Sequence, residues 1–252
     1  MLTALFFLVP ISASCTTDND REVLVFAAAS LRDALTELSQ VFESQQNIKV
    51  QLSYGGSVTL ARQISLQSPA DMFISAGDGP VDKLQGEGLL AQDGRRALLN
   101  NRLVVTVSPD ARMPSTSGLE ALTGSNRIGI ADPKMAPAGQ YAKTALINLG
   151  LWDELQPRVV YGNDVRVTLY YAESSNVDTA IVYISDAIIS KKISAILDLP
   201  EGIHAPIVYP AAIIAGSDNQ DDASRFLDFL TEDNSYQVFE RYGFTRPFNQ
   251  AN

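Results

Sequence analysis

Residues Val23 to Ala28 (VLVFAA) form an unbroken apolar run, and Leu31, Ala34, Leu35, Leu38, Val41 and Phe42 follow it at the spacing of one helix face. A continuous apolar run suits a strand covered on both sides, so the chain is predicted to open with a buried strand leading directly into a helix. The unit then repeats. Ile48, Val50, Leu52 and Tyr54 alternate with other residues as in a half-buried strand, and Leu60, Ala61 and Ile64 begin a second helical stripe after Gly55-Gly56. Further strands are expected at Met72 to Ser75, Leu103 to Val107, Ile128 to Ile130, Val159 to Tyr161, Ala180 to Tyr183 and Ile207 to Ala215. With helical segments between them, the predicted class is α/β with mostly parallel sheets.

No fixed-period repeat and no long flexible linker interrupts the chain after residue 20. At 252 residues and 46% hydrophobic it can bury one large core or two modest ones. Two lobes would have to be joined by strands, and the runs Asn101 to Val105 and Pro206 to Pro210 suit that purpose. The predicted division is therefore a leader over 1–20, a discontinuous first lobe over 21–102 plus 207–252, and a second lobe over 103–206. A ligand would sit in the cleft between them, at the carboxyl ends of the strands.

The leader has export-signal grammar: an apolar run from Leu2 to Ile11, then Ser12, Ala13 and Ser14 before Cys15. Cys15 is the only cysteine, which excludes an internal disulfide and a multi-cysteine zinc site. With the polar stretch Thr16 to Asp20 behind it, the segment resembles a bacterial lipoprotein cleavage box. The expected location is the cell envelope, with Cys15 as the lipidated residue. The net charge of -10 disfavours nucleic acid and anionic membrane surfaces as partners. It does not exclude an anionic ligand, because surface charge is screened within about 8 Å at physiological salt while backbone dipoles in a dry cleft act at contact.

Ser30 follows the first strand with Asp33 three residues on, the pattern of a helix cap with a capping-box partner. Ser57 holds the equivalent place after the second strand, behind two glycines whose missing side chains admit a close approach of backbone N–H groups. Two serines at two helix starts make an anion cradle. In the second half, a helix is expected from near Ala138 to near Gly150, where Ala138 offers only its backbone N–H. Asp164 is the expected cap of another helix whose Val165 offers the same group, and Tyr183 brings a hydroxyl to the same strand-end face. An enzyme reading lacks a base, since His204 is the only histidine and lies in a loop-like stretch. Asp71 is expected to cap or buttress a strand edge, and no nucleotide or zinc motif is present. The expectation is a binding protein with no cofactor and no catalysis.

The segments Phe26-Ala27-Ala28-Ala29-Ser30-Leu31, Thr59 to Ile64, Pro69 to Ala76, Asp132-Pro133 with Pro137-Ala138-Gly139, and Ile181-Val182-Tyr183 resemble the periplasmic molybdate-binding family. The similarity runs in order from about Val23 to Thr245. It implies a two-lobe type II periplasmic-binding fold that holds molybdate or tungstate by neutral hydrogen bonds, with another tetrahedral oxyanion such as sulfate as the alternative. Carried over, Ser30 and Ser57 donate from one lobe, Ala138 and Val165 are backbone donors of the other, and Tyr183 adds its hydroxyl. Val58 departs from the serine run that relatives often carry there. The resemblance also implies a monomer working with the permease and ATPase of an ABC importer. A site built only of donors penalises a ligand that must itself donate a proton, such as monohydrogen phosphate.

Overall fold

The computed structural model describes residues 21–111 and 116–247. The leader and Cys15 lie outside the described residues. The strands are β1 (Glu22–Ala28), β2 (Lys49–Gly55), β3 (Met72–Ile74), β4 (Leu90–Asn101), β5 (Leu103–Val107), β6 (Ile128–Ala131), β7 (Val159–Gly162), β8 (Thr179–Tyr183), β9 (Ala195–Asp198) and β10 (Ile207–Ile214). Among the helices, α1 (Arg32–Gln46), α2 (Ser57–Ser65) and α3 (Asp78–Gly86) come first, followed by α4 (Gly118–Gly124), α5 (Pro137–Asn148) and α6 (Trp152–Leu155). The remainder are α7 (Val165–Glu173), α8 (Ile184–Ala187), α9 (Gln220–Leu230) and α10 (Asp233–Arg241).

Two five-stranded sheets share one plan, β2-β1-β3-β10-β4 and β7-β6-β8-β5-β9. In each, the first three strands are parallel and the fourth, β10 or β5, is antiparallel to both its neighbours. Four strands of each sheet thus point one way and one points back, as expected of a mostly parallel α/β protein whose chain crosses between sheets. The outward crossing is abrupt: β4 ends at Asn101 and β5 begins at Leu103. The return runs from Asp198 through 199–206 into β10.

The unbroken apolar run of β1 is explained by two cores. Val23, Val25 and Ala27 face the larger cluster with α1 and α9, whereas Phe26 joins Leu60, Ile64, Phe73, Val81 and Leu84 under α2 and α3 on the other side. On α1, Leu35, Leu38 and Phe42 are essentially fully buried, each worth about 1.5–3 kcal/mol of apolar burial. Val41, read as part of that stripe, is 39% exposed. The 3.6-residue period carries the buried face from Leu38 to Phe42 and leaves position 41 outside. Asn47, with φ 53°, ends the helix in the left-handed conformation.

Two strands are absent from the sequence-based expectation. β4 is twelve residues long but has neither an apolar run nor clean alternation, because it pairs with β10 through two register shifts at the sheet edge. β9, AILD, is a short edge strand beside β5.

Candidate functional site

The carboxyl ends of β1, β2 and β3 in one sheet face those of β6, β7 and β8 in the other across a small pocket. Its enclosed space, about 10 Å³, is far below that of pockets that take drug-sized molecules, so the ligand it suits is a small ion. Ser30, Ser57, Ala138, Val165 and Tyr183 all line it. Gly55, Gly56, Ala76 and Asp164 are also in its wall, and no Lys, Arg or His side chain is among the lining residues. Val58 is not a lining residue either.

Each polar group has a local reason for its direction. Ser57 is the first residue of α2, is buried, and accepts a hydrogen bond from the Ala76 N–H at 3.1 Å. Its hydroxyl hydrogen is therefore free to point into the pocket. Ala138 is the second residue of α5, behind Pro137, and Val165 is the first of α7. The first N–H groups of a helix have no intrahelical acceptor, so both are available as donors at the positive end of a helix dipole. Asp164 caps α7 as expected, its Oδ1 accepting from the N–H groups of Arg166 (2.8 Å) and Val167 (3.0 Å). This use turns the carboxylate toward the helix and leaves the Val165 N–H to the pocket. The Tyr183 hydroxyl donates a long bond, 3.3 Å, to the Ala76 carbonyl. Burial pushes the Tyr183 phenol well above its ordinary pKa, so it remains a donor.

The capping-box reading of Ser30 is corrected. A 3-10 turn, Ala29–Leu31, stands between β1 and α1, and Ser30 lies inside it with no capping bond. Its Oγ instead lies 2.9 Å from Tyr209 Oη on β10. Asp33 does not close a box either; its carboxylate pairs with Arg166 of α7 across the gap between the sheets. Asp71 buttresses the first sheet, accepting from the Leu24 N–H at 2.7 Å and the Ser217 hydroxyl at 2.6 Å. His204 packs its ring against Tyr141 with Nδ1 2.7 Å from the Ala205 carbonyl, and serves neither pocket serine.

Sequence reasoning missed Tyr209 and Asn101, which stand behind Ser30, and the cluster around Arg166. No local pattern links Ser30 to a tyrosine 179 positions away. Arg166 follows Val165 but is turned aside: its Nε sits 2.6 Å from Oδ1 of fully buried Asp186, off line for a hydrogen bond, and its outer nitrogen pairs with Asp33. Burial pushes the Asp186 carboxyl up to about 7, opposed by the Arg166 guanidinium and reinforced by the charges of Asp164 and Asp33. An unfolded aspartate titrates near pH 4, so between about pH 4 and pH 7 the folded chain keeps a proton that the unfolded chain has released. The stability from this group is complete below pH 4 and is lost as pH rises through 7. The unfolding midpoint should therefore fall more steeply from pH 5 to pH 7.5 in the wild type than in Asp186→Asn; equal slopes would contradict the assignment.

Two sheets of one plan, facing each other across a small pocket at their strand ends and linked by crossing strands, define a cleft-type binding protein of the α/β class. The profile of the bacterial extracellular solute-binding protein family matches residues 23–245, and the chain belongs to that family. It is 38% identical to YvgL of Bacillus subtilis (strain 168), provisionally named an ABC transporter substrate-binding lipoprotein, over 97% of this chain and 95% of that protein. It is 36% identical to the molybdate-binding protein ModA of Escherichia coli (strain K12), over 90% of each. The solved structure of the Azotobacter vinelandii periplasmic molybdate-binding protein superposes with a TM-score of 0.83 at 25% identity, over 89% of this chain and 99% of that one.

Proposed function

We propose that this protein binds molybdate or tungstate outside the cytoplasm and delivers it to the permease of an ABC importer driven by its ATPase. The observation that carries the reading is the convergence of the starts of α2, α5 and α7 with the hydroxyls of Ser30, Ser57 and Tyr183 on one small pocket without a cationic side chain. Such a site matches a fully deprotonated tetrahedral dianion: fixed dipoles and neutral donors supply the attraction. The names of the relatives favour molybdate over sulfate, which would use the same donors and differ only in size. The two sheets belong, in this reading, to two lobes, 21–102 with 207–252 and 103–206, which close on the anion in a monomeric protein.

Titration calorimetry with molybdate, tungstate, sulfate and phosphate tests this. Molybdate and tungstate should bind far more tightly than sulfate, and phosphate weakest; a preference for sulfate would reassign the ligand. Ser57→Ala and Tyr183→Phe each remove a hydrogen bond to a charged group, expected to cost about 1.5–3 kcal/mol, or roughly 10- to 150-fold in affinity. Losses below about threefold in both would place the site elsewhere.

The anchor is proposed to be a lipid on Cys15. Cys15→Ser should move the protein from membrane to soluble envelope fractions or block its processing, and a wild type wholly soluble after fractionation would exclude the anchor.

A further inference from the structure

We propose that Tyr209 and Asn101 are positioning residues that hold the Ser30 hydroxyl as a donor aimed into the pocket, and so make the site selective against protonated oxyanions. The proposal rests on the oxyanion reading above and adds to it the part of the protein that enforces the direction of a hydrogen bond.

The chain of bonds has one consistent orientation. The Arg102 N–H donates to Asn101 Oδ1 at 2.9 Å, which fixes which end of the amide faces the interior. Asn101 Nδ2 then donates to Tyr209 Oη at 3.1 Å and to Ser185 Oγ at 2.8 Å. Tyr209 is fully buried, so its own hydrogen needs an acceptor, and Ser30 Oγ is 2.9 Å away. Burial, with the nearby Asp186 charge, raises the phenol well above its ordinary pKa and keeps that hydrogen in place. Ser30 Oγ thus receives a bond from Tyr209, and its hydrogen is directed away from Tyr209, toward the pocket it lines. An amide that can only donate at this end sets the sense of the whole relay, from Asn101 through Tyr209 and Ser30 to the anion.

The position of the relay fits this role. Asn101 ends β4 where the chain crosses to the second sheet, and Tyr209 lies on β10 where it has returned. Both strands lie in the first sheet beside the chain crossings to the second, and the Tyr209 ring packs at 5.9 Å from the Tyr183 ring and 5.4 Å from Phe244. With one lone pair taken by the phenol hydrogen, Ser30 can accept from the ligand only through its other lone pair and by turning its own hydrogen out of the pocket, so a donating ligand forfeits the bond the relay aims at it. Monohydrogen phosphate or arsenate carries a hydrogen that needs an acceptor; molybdate near neutrality does not.

Tyr209→Phe keeps the ring and deletes the relay. Calorimetry at pH 7.5 should show molybdate affinity falling about tenfold, the size of one misdirected hydrogen bond to a charged group. Monohydrogen arsenate should lose less or gain, so the ratio of the two affinities narrows by tenfold or more. In a Ser30→Ala background the same change should alter molybdate binding by less than twofold, because the group it positions is gone. Asn101→Asp, in a partly exposed place, reverses the sense of the relay by offering the phenol an acceptor, and should narrow the ratio as well. Unchanged molybdate affinity in Tyr209→Phe, or equal losses for both anions, would overturn the proposal while leaving the oxyanion reading intact. A wild type that binds no tetrahedral oxyanion would overturn both.

Discussion

Gly56→Ala is expected to weaken molybdate binding by about 100-fold or more while leaving the ligand-free protein as stable as the wild type. A Cβ at position 56 would stand 2.4 Å from the Met135 carbonyl oxygen and 3.1 Å from that of Asn163. Both belong to the chain of the opposite sheet, and Met135 O also receives the Thr59 N–H at 3.2 Å. The closed arrangement therefore brings bare backbone to bare backbone beside the pocket. A methyl group must hold the two halves apart by most of an ångström, and the Ala138 and Val165 donors recede with the second half. Two lengthened bonds to a dianion, each worth about 1.5–3 kcal/mol, set the scale of the loss. Nothing in the conformation of Gly56 itself resists alanine, since φ -67° and ψ 129° suit any residue. The ligand-free melting temperature should stay level or rise slightly, as a less flexible unfolded chain implies. Calorimetry and a thermal melt on the same sample check both halves; wild-type affinity would show that the halves close without this contact.

How far the sequence predicted this arrangement depends on the range of each signal. β1 and α1 were legible because two-sided burial writes an apolar run and one-sided burial writes a 3.6-residue stripe, both within a few residues. The five pocket residues were legible because strand ends and helix starts are local events, and the family likeness fixed which of them to compare. β4 was hidden because an edge strand with register shifts keeps no period. Ser30 shows the limit most clearly. Its neighbours spelled a capping box, yet the side chain bonds to Tyr209, and Asp33 reaches Arg166 instead. Tertiary partners 133 and 179 positions away outcompeted a cap worth about 1 kcal/mol. Partners at such separations leave no trace in local pattern, so the residues that line the pocket could be read from the sequence while the side chains packed behind them could not.

Gly139→Ala should have the opposite signature to Gly56→Ala: a loss of stability before any question of binding arises. Its Cβ would fall 2.0 Å from the Ala131 carbonyl oxygen, 2.7 Å from the carbon of that carbonyl and 2.8 Å from Pro133 N. All three are backbone atoms of the same half of the molecule, at the end of β6 and the turn after it, so no opening of the cleft can relieve them. The first turn of α5 would have to lift from the sheet, opening space beside Ala142, Ala145 and Leu146, which the helix buries. Overpacking against atoms that cannot move is expected to cost about 3 kcal/mol or more. In a chain of this length that corresponds to a fall of roughly 6–12 °C in the melting temperature. Gly86, where a Cβ meets nothing within 4 Å, supplies the control: Gly86→Ala at the end of α3 should be neutral or stabilising. Ala138, the residue before it in the first turn of α5, lines the pocket. Any Gly139→Ala protein that still folds should therefore also bind the anion more weakly. A melt within 2 °C of the wild type would mean that the α5 start is not seated on β6 as described, and the donor assigned to Ala138 would lose its footing with it.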